Sequence, residues 1–226
     1  MNVRLVSYSQ PTPEFTNMGI KDAQELIAFC ARVSNPTNQL NTETSDKLIR
    51  YLVKNQHWSP LEMVNACVEI TTTRDIARQI LRHRSFSFQE FSQRYADPTQ
   101  DLNFVTREAR LQDPKNRQNS VDIPGWTLNE QMLLDEWRRQ QEYVIRTATE
   151  AYEWAIAKGI AKEQARAVLP EGLIESRLYM NGTLRSWIHY IELRSAHGTQ
   201  KEHQAIARMC AQVIADVFPM SGEFVN

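Results

Sequence analysis

Residues 82 to 95 read RHRSFSFQEFSQRY, an ordered string too specific to be a generic basic patch. The segment leading into it, Arg74 to His83, has helical spacing. On a helix of about 3.6 residues per turn, Arg74, Arg78 and Arg82 fall on one edge while Ile76, Ala77 and Ile80 lie on another side. That guanidinium stripe continues through His83, Arg84 and Arg94, and the only acids from 74 to 94 are Asp75 and Glu90. Like charges so close repel unless an anion joins them, although a solvated helix face is the plainer alternative. Ser85, Ser87, Gln89 and Ser92 place short hydrogen-bonding groups among the arginines, as recognition of phosphates and bases requires. Phe86, Phe88 and Phe91 alternate with them and suit contact with flat rings; at least one also reads as core.

Outward from this string, Val3 to Ser7 reads as a strand and Asp22 to Val33 as a helix. A second helix is predicted from about Thr44 to Gln56, stopped by the polar loop His57-Trp58-Ser59-Pro60. Val64, Ala66, Val68 and Ile70 alternate with Asn65, Cys67 and Glu69, which predicts a strand extended by Thr71 to Thr73. Residues 96 to 125 carry three prolines among polar residues and are expected to form a long, partly mobile connection. Gly125 to Gly159 has the longest helical periodicity, roughly 33 residues and about 50 Å. A short helix through Ala165 and Arg166, a strand over Glu175 to Tyr179, a helix over Leu184 to Leu193 and a last helix over Lys201 to Phe218 complete the reading. The expected fold is one α+β domain over 1-226, with a small mixed or antiparallel sheet covered by helices, one of them long. No GxGxxG or P-loop occurs, so a Rossmann site is excluded.

With 26 Lys plus Arg against 27 Asp plus Glu in 226 residues, the chain has no general drive toward nucleic acid or an anionic membrane. Any anion site must come from local clustering. Cys30, Cys67 and Cys210 are odd in number, widely spaced and without a CxxC pair, which argues against a disulfide framework or zinc site and for a reducing cytoplasm. The first residues lack a basic and then apolar leader pattern, and no stretch approaches the ~20 apolar residues of a membrane span. With neither HExxH nor a carboxylate cluster, no metal is expected.

Arg82 to Tyr95 resembles the signature RHRxxSxNExSxRY of the flavin-dependent thymidylate synthase family, with Gln89 where asparagine is usual. The likeness extends to ARVS at Ala31 to Ser34, HWSPLE at His57 to Glu62, ARAVLP at Ala165 to Pro170 and RSWIHYIELR at Arg185 to Arg194. Departures are Met63 where the family often has histidine, Thr183 where it often has asparagine, and Gly198, beside His197, where a late flavin-contacting histidine is frequent.

The resemblance implies that Gln79, Arg82, Glu90, Ser92, Gln93, Arg94, Arg166 and Arg194 hold the uracil deoxynucleotide dUMP. Arg194 would also polarise the pyrimidine and so serve as the catalytic residue. It likewise implies that FAD is bound by Ser34, His57, Ser59, Glu62, Arg82, His83, Arg84, Glu90, Thr183, Arg185 and His189. The residues agree with parts of this. Guanidinium forks suit a phosphate dianion, and Glu90 suits sugar hydroxyls or, alternatively, the neutralisation of nearby arginines. From Leu184 to Leu193, Arg185, His189 and Glu192 share one side and Leu184, Trp187, Ile188 and Ile191 the other, with Thr183 a natural N-cap. Arg194 falls near the border of the apolar face, where an unpaired charge is costly; pairing with Glu192 or Glu202 is the structural alternative. His203 reads as structural.

The implied reaction carries a one-carbon unit from methylenetetrahydrofolate to C5 of dUMP, with NADPH as reductant of the flavin and no cysteine nucleophile. A cytoplasmic homotetramer with active sites between subunits is implied as well. The competing readings are an RNA-binding module built on the Arg/Phe interleave, against which the neutral net charge counts, and a helical assembly protein with solvated arginines.

Overall fold

A computed structural model describes residues 1–223. In chain order the elements are β1 (Asn2–Tyr8), α1 (Pro13–Asn17), α2 (Ala23–Ala31), α3 (Ser45–Lys54), β2 (Asn65–Thr73), α4 (Arg74–Ile80), β3 (Phe86–Glu90) and α5 (Pro98–Asp101). There follow β4 (Arg110–Gln112), β5 (Ser120–Asp122), α6 (Leu128–Ala157), α7 (Lys162–Ala165), β6 (Glu175–Thr183), α8 (Leu184–Ser195) and α9 (Lys201–Ala215). Four strands form a sheet in the order β1-β2-β6-β3, antiparallel at each pairing. The α+β reading therefore holds, and the main sheet contains no parallel βαβ unit of the Rossmann kind.

Period-two alternation decides which face of the sheet is covered. Val68 and Ile70 of β2 sit opposite Met180 and Leu178 of β6, and all four are fully buried. They pack in one cluster with Ile76, Ala77 and Ile80 of α4 and with Leu184, Trp187, Ile188 and Ile191 of α8. Each large apolar side chain buried in this way contributes roughly 1.5–3 kcal/mol. Trp187 also satisfies its indole N–H by donating to the Ala66 carbonyl at 3.0 Å.

β2 and β6 run straight into helices, α4 and α8, with Thr73 and Thr183 at the N-cap positions. Thr183 Oγ1 accepts from the Ser186 N–H at 3.3 Å, which satisfies one of the free donors at the helix start. Because Asn65 pairs with Thr183 and Thr73 with Glu175, the two helices start at opposite ends of the strand pair. The segment after α4 then meets the C-terminal half of α8, and the His83 ring lies edge-on to Tyr190 with centroids 4.9 Å apart.

Three expectations need correction. The helix from Arg74 ends at Ile80, so Arg82 stands in a turn beyond it and the arginine stripe is broken. The alternation at Phe86, Ser87, Phe88 and Gln89 belongs to a strand: Phe86 is in the core and Phe88 packs against it, so neither ring is an open platform for stacked bases. Residues 96 to 125 are structured rather than loose. Asp97 caps α5, Phe104 bridges Ile174, and buried Gln141 of α6 both accepts from Arg107 N at 2.7 Å and donates to Arg107 O at 3.0 Å. These ties are polar and tertiary, so hydrophobic periodicity carries no trace of them.

The long helix is 30 residues and starts after Thr127, where a capping box with Glu130 satisfies the first N–H groups. It packs through Tyr152 and Ala155 onto Ala165, Leu169 and Ile174. Much of its remaining apolar surface is open, with Trp126, just ahead of its N-cap, 87% exposed and Trp154 60% exposed. Gly182 of β6 faces Phe86 of β3, and a Cβ at Gly182 would lie 2.3 Å from that ring.

Candidate active site

The residues singled out in the sequence gather into three clusters and one outlying turn. The first surrounds Arg194, near the end of α8. Its Nε donates to His83 Nε2 at 2.8 Å, and no carboxylate pairs with it among the described residues. Glu202 is engaged instead by Arg110, and Glu192 is exposed, so the salt-bridge alternative for Arg194 is not what the structure shows. Burial, with Arg194 and Arg82 nearby, pushes His83 down from 6.5 to about 4, which keeps its ring neutral and able to accept. Below it, buried His203 lies 3.1 Å from the Tyr190 hydroxyl and 3.2 Å from Gln79 Oε1, and Gln79 Nε2 donates to Gln200 at 2.8 Å. Gln200 lines a cavity of about 970 Å³ whose wall includes Arg110, Arg117, Asp122, Trp137 and Arg208.

The second cluster joins the loop after α3 to the polar side of α8. Arg185 pairs with Glu62, and His189 lies edge-on to Trp58 with centroids 4.5 Å apart. Burial, and then Arg185, lowers the pKa of His189. His57 and Ser59 are exposed on the same loop, and His57 contacts the Tyr51 ring at 6.0 Å. Ser34 stands on the turn after α2, where it lines a separate cavity of about 560 Å³ with Arg32, Thr44 and Tyr51. Arg185 and His189 do share one side of α8, as their spacing predicts, but Ser34 lines a different cavity that includes neither of them.

The third cluster sits at the end of β3. Glu90 accepts from the Ser176 hydroxyl at 2.7 Å and lies 3.4 Å from Arg74, which is buried and 3.4 Å from Glu171. Gln93 is buried with its Nε2 unpartnered, a group that costs about 1–3 kcal/mol if nothing satisfies it. Arg94 is exposed, 3.5 Å from Glu163, and Arg166 donates to the Glu163 backbone carbonyl at 3.3 Å. Arg82, Arg84 and Ser92 lie on turns at either end of β3, Arg82 and Arg84 exposed and Ser92 half-buried.

Sequence reasoning passed over Tyr190, Gln200, Ser176 and Trp58 as functional candidates. Tyr190 stands one helical turn before Arg194, and that spacing alone could have drawn attention to it. Ser176 and Gln200 reach their clusters through strand pairing and the α8–α9 connection, which no local pattern encodes.

The three cysteines are poor nucleophile candidates. Burial raises the thiol pKa of each, and Cys210 is completely enclosed in the core.

Residues 15–220 match the family described as thymidylate synthase complementing protein. A probable flavin-dependent thymidylate synthase of Paramecium bursaria Chlorella virus 1 is 45% identical over 220 residues, 97% of this chain and 96% of the viral one. A flavin-dependent thymidylate synthase of Synechocystis sp. is 46% identical over the same shares of both chains. Among solved structures, a UMP/dUMP methylase PolB from Streptomyces cacaoi, bound with 5-Br dUMP, superposes with a TM-score of 0.78. It covers 99% of this chain and 93% of its own at 24% identity, a likeness that speaks for the fold. The matched span and the full-length relatives together show that this chain belongs to the flavin-dependent thymidylate synthase family.

Proposed function

We propose that the chain methylates dUMP at C5 to give dTMP, taking the one-carbon unit from methylenetetrahydrofolate and using FAD with NADPH as reductant. The observation that carries this reading is Arg194, a half-buried cation whose partner is a neutral imidazole rather than a carboxylate. Its remaining donors have no partner among the described residues and can face an electron-rich carbonyl, and a guanidinium there favours negative charge building on a pyrimidine ring. Arg94 and Arg166, held by single polar contacts near Glu163, suit a phosphate dianion.

The donor set fits a flavin. Arg185 and Glu62 form a polar pair beside the Trp58–His189 contact, at the N-terminus of α8 where free N–H groups favour an anionic or carbonyl oxygen. Ser34, His57, Ser59, Glu62, Thr183, Arg185 and His189 would hold the cofactor from this side, and Arg82, His83, Arg84 and Glu90 from the β3 side. When bound, FAD supplies the hydride chemistry that no side chain here offers. The protein's own part is to hold dUMP through Gln79, Arg82, Glu90, Ser92, Gln93, Arg94, Arg166 and Arg194, and to stabilise developing charge at the ring.

The reading extends to one domain assembled as a cytoplasmic homotetramer, with sites completed between subunits. Its support is the separation of the three clusters within one chain and the open Trp126, Met132, Trp137 and Trp154 on and beside the long helix. Equilibrium titration of the folded protein with FAD tests the flavin assignment: binding with absorbance in the blue is expected, and no binding overturns it.

A further inference from the structure

The neighbourhood of His203 has a direction, and that direction decides what Gln79 offers a ligand. Tyr190 is buried, and burial holds its phenol far above its ordinary pKa, so the hydroxyl keeps its proton. Among the described residues His203 Nε2, at 3.1 Å, is the acceptor for that proton. Were Nε2 protonated instead, the Tyr190 hydrogen would be a buried donor with nothing to accept it. The imidazole proton therefore sits on Nδ1, 3.2 Å from Gln79 Oε1, which must be the acceptor. Gln79 is thereby fixed amide-outward: one Nε2 hydrogen goes to Gln200 Oε1 at 2.8 Å, and the other has no protein partner among the described residues.

We propose that His203 is a positioning residue that locks the Gln79 amide so that it presents an N–H donor, never its oxygen, to a carbonyl of the bound pyrimidine. This rests on the assignment of Gln79 to dUMP. His203 is surrounded by Tyr190, Gln79, the His83 ring at 6.4 Å and the Arg194 charge, and burial together with that charge lowers its pKa to about 3. It stays neutral at any working pH, so the chain acts as a fixed orienting device rather than a titrating switch. Without it Gln79 Oε1 loses the donor that fixes it, and the amide is free to flip and set its oxygen against a pyrimidine carbonyl.

Two measurements separate the network from its use. Imidazole ¹⁵N spectra of the FAD-loaded protein should show His203 with its proton on Nδ1, unchanged from pH 8 to 5.5; a proton on Nε2 overturns the proposal. In dUMP titrations, Gln79→Ala should weaken binding about tenfold, and failure to do so removes Gln79 from the nucleotide site without touching the spectral result. His203→Leu should weaken binding several-fold, and His203→Asn, which can return an N–H near the Nδ1 position, should recover part of that. In the Gln79→Ala background His203→Leu should have no further effect, because it acts through that amide. Additive losses, or wild-type affinity in His203→Leu, overturn the positioning role. Tyr190→Phe, a milder change, should weaken dUMP binding about twofold and broaden the His203 tautomer signals; an unchanged spectrum and affinity would count against the directed chain.

Discussion

Arg194 Nε donates to His83 Nε2 across 2.8 Å, so a permanent cation is held by a ring that must remain neutral to accept it. The arrangement leaves the guanidinium oriented but without a counter-charge, which suits an electron-rich substrate better than a structural ion pair. It also ties a residue assigned to dUMP directly to one assigned to FAD.

Arg194→Ala should keep the fold and FAD binding while lowering dUMP affinity about ten- to hundredfold, from a charge-assisted contact worth roughly 1.5–3 kcal/mol. Turnover should fall further, since part of the interaction strengthens as charge develops. Arg194→Lys should rescue poorly because an ammonium lacks the planar fork. Titration of dUMP followed by turnover at saturation decides it; wild-type values in Arg194→Ala would make the residue structural.

His83 and His203 predict a pH dependence of stability. Both ionise in the folded protein well below 6.5, at about 4 and about 3. Between those values and 6.5 the unfolded chain binds more protons than the folded one, so stability rises with pH across that window. Their contribution is complete above pH 6.5 and is lost as the pH falls toward 4 and then 3. His83→Gln, which offers Arg194 an acceptor that does not titrate, should show a shallower fall in Tm between pH 6.5 and 4; an identical slope would contradict the depressed value.

Gly182→Ala should destabilise the protein by about 1–3 kcal/mol, since its Cβ would meet the Phe86 ring at 2.3 Å. Adding Phe86→Leu should relieve part of the loss. Urea midpoints of the two single variants and the double variant check this, and a neutral Gly182→Ala would show that β3 yields more readily than its packing implies.

Replacing Cys30, Cys67 and Cys210 together with alanine should leave turnover within about tenfold of the parent protein, a difference of 1.4 kcal/mol or less. The Cys210 change opens space in the core and should lower Tm. Complete loss of turnover in a folded triple variant would restore a thiol to the mechanism.

The strand at Asn65–Thr73 and the helix from Leu184 were legible in the sequence because alternation and helical spacing both report burial directly, whereas β6 was read only from Glu175 to Tyr179 and runs on to Thr183. The strand Phe86–Glu90 was masked by its functional chemistry: Ser87 and Gln89 read as ligand contacts, although their outward placement follows from the same alternation that buries Phe86. The hairpin of β4 and β5 was illegible because its strands have three residues each and lean on long-range bonds such as Arg110 to Glu202. Arg194 was placed correctly at the edge of the apolar face, but its partner His83 lies 111 positions away. Only the meeting of two strand–helix units brings that pair together.

The junction at Thr183 and Leu184 has no spare residue between strand and helix, so the two elements share a single reading frame. Inserting or deleting one residue in β6 would exchange the buried Leu178 and Met180 for their exposed neighbours and also rotate α8 by about 100°. Arg185, His189 and Arg194 would swing away from their partners in the same step. Length changes across residues 175 to 194 should therefore be absent from working variants, whereas the turn between β4 and β5 can lengthen without altering the phase of any helix that carries the site.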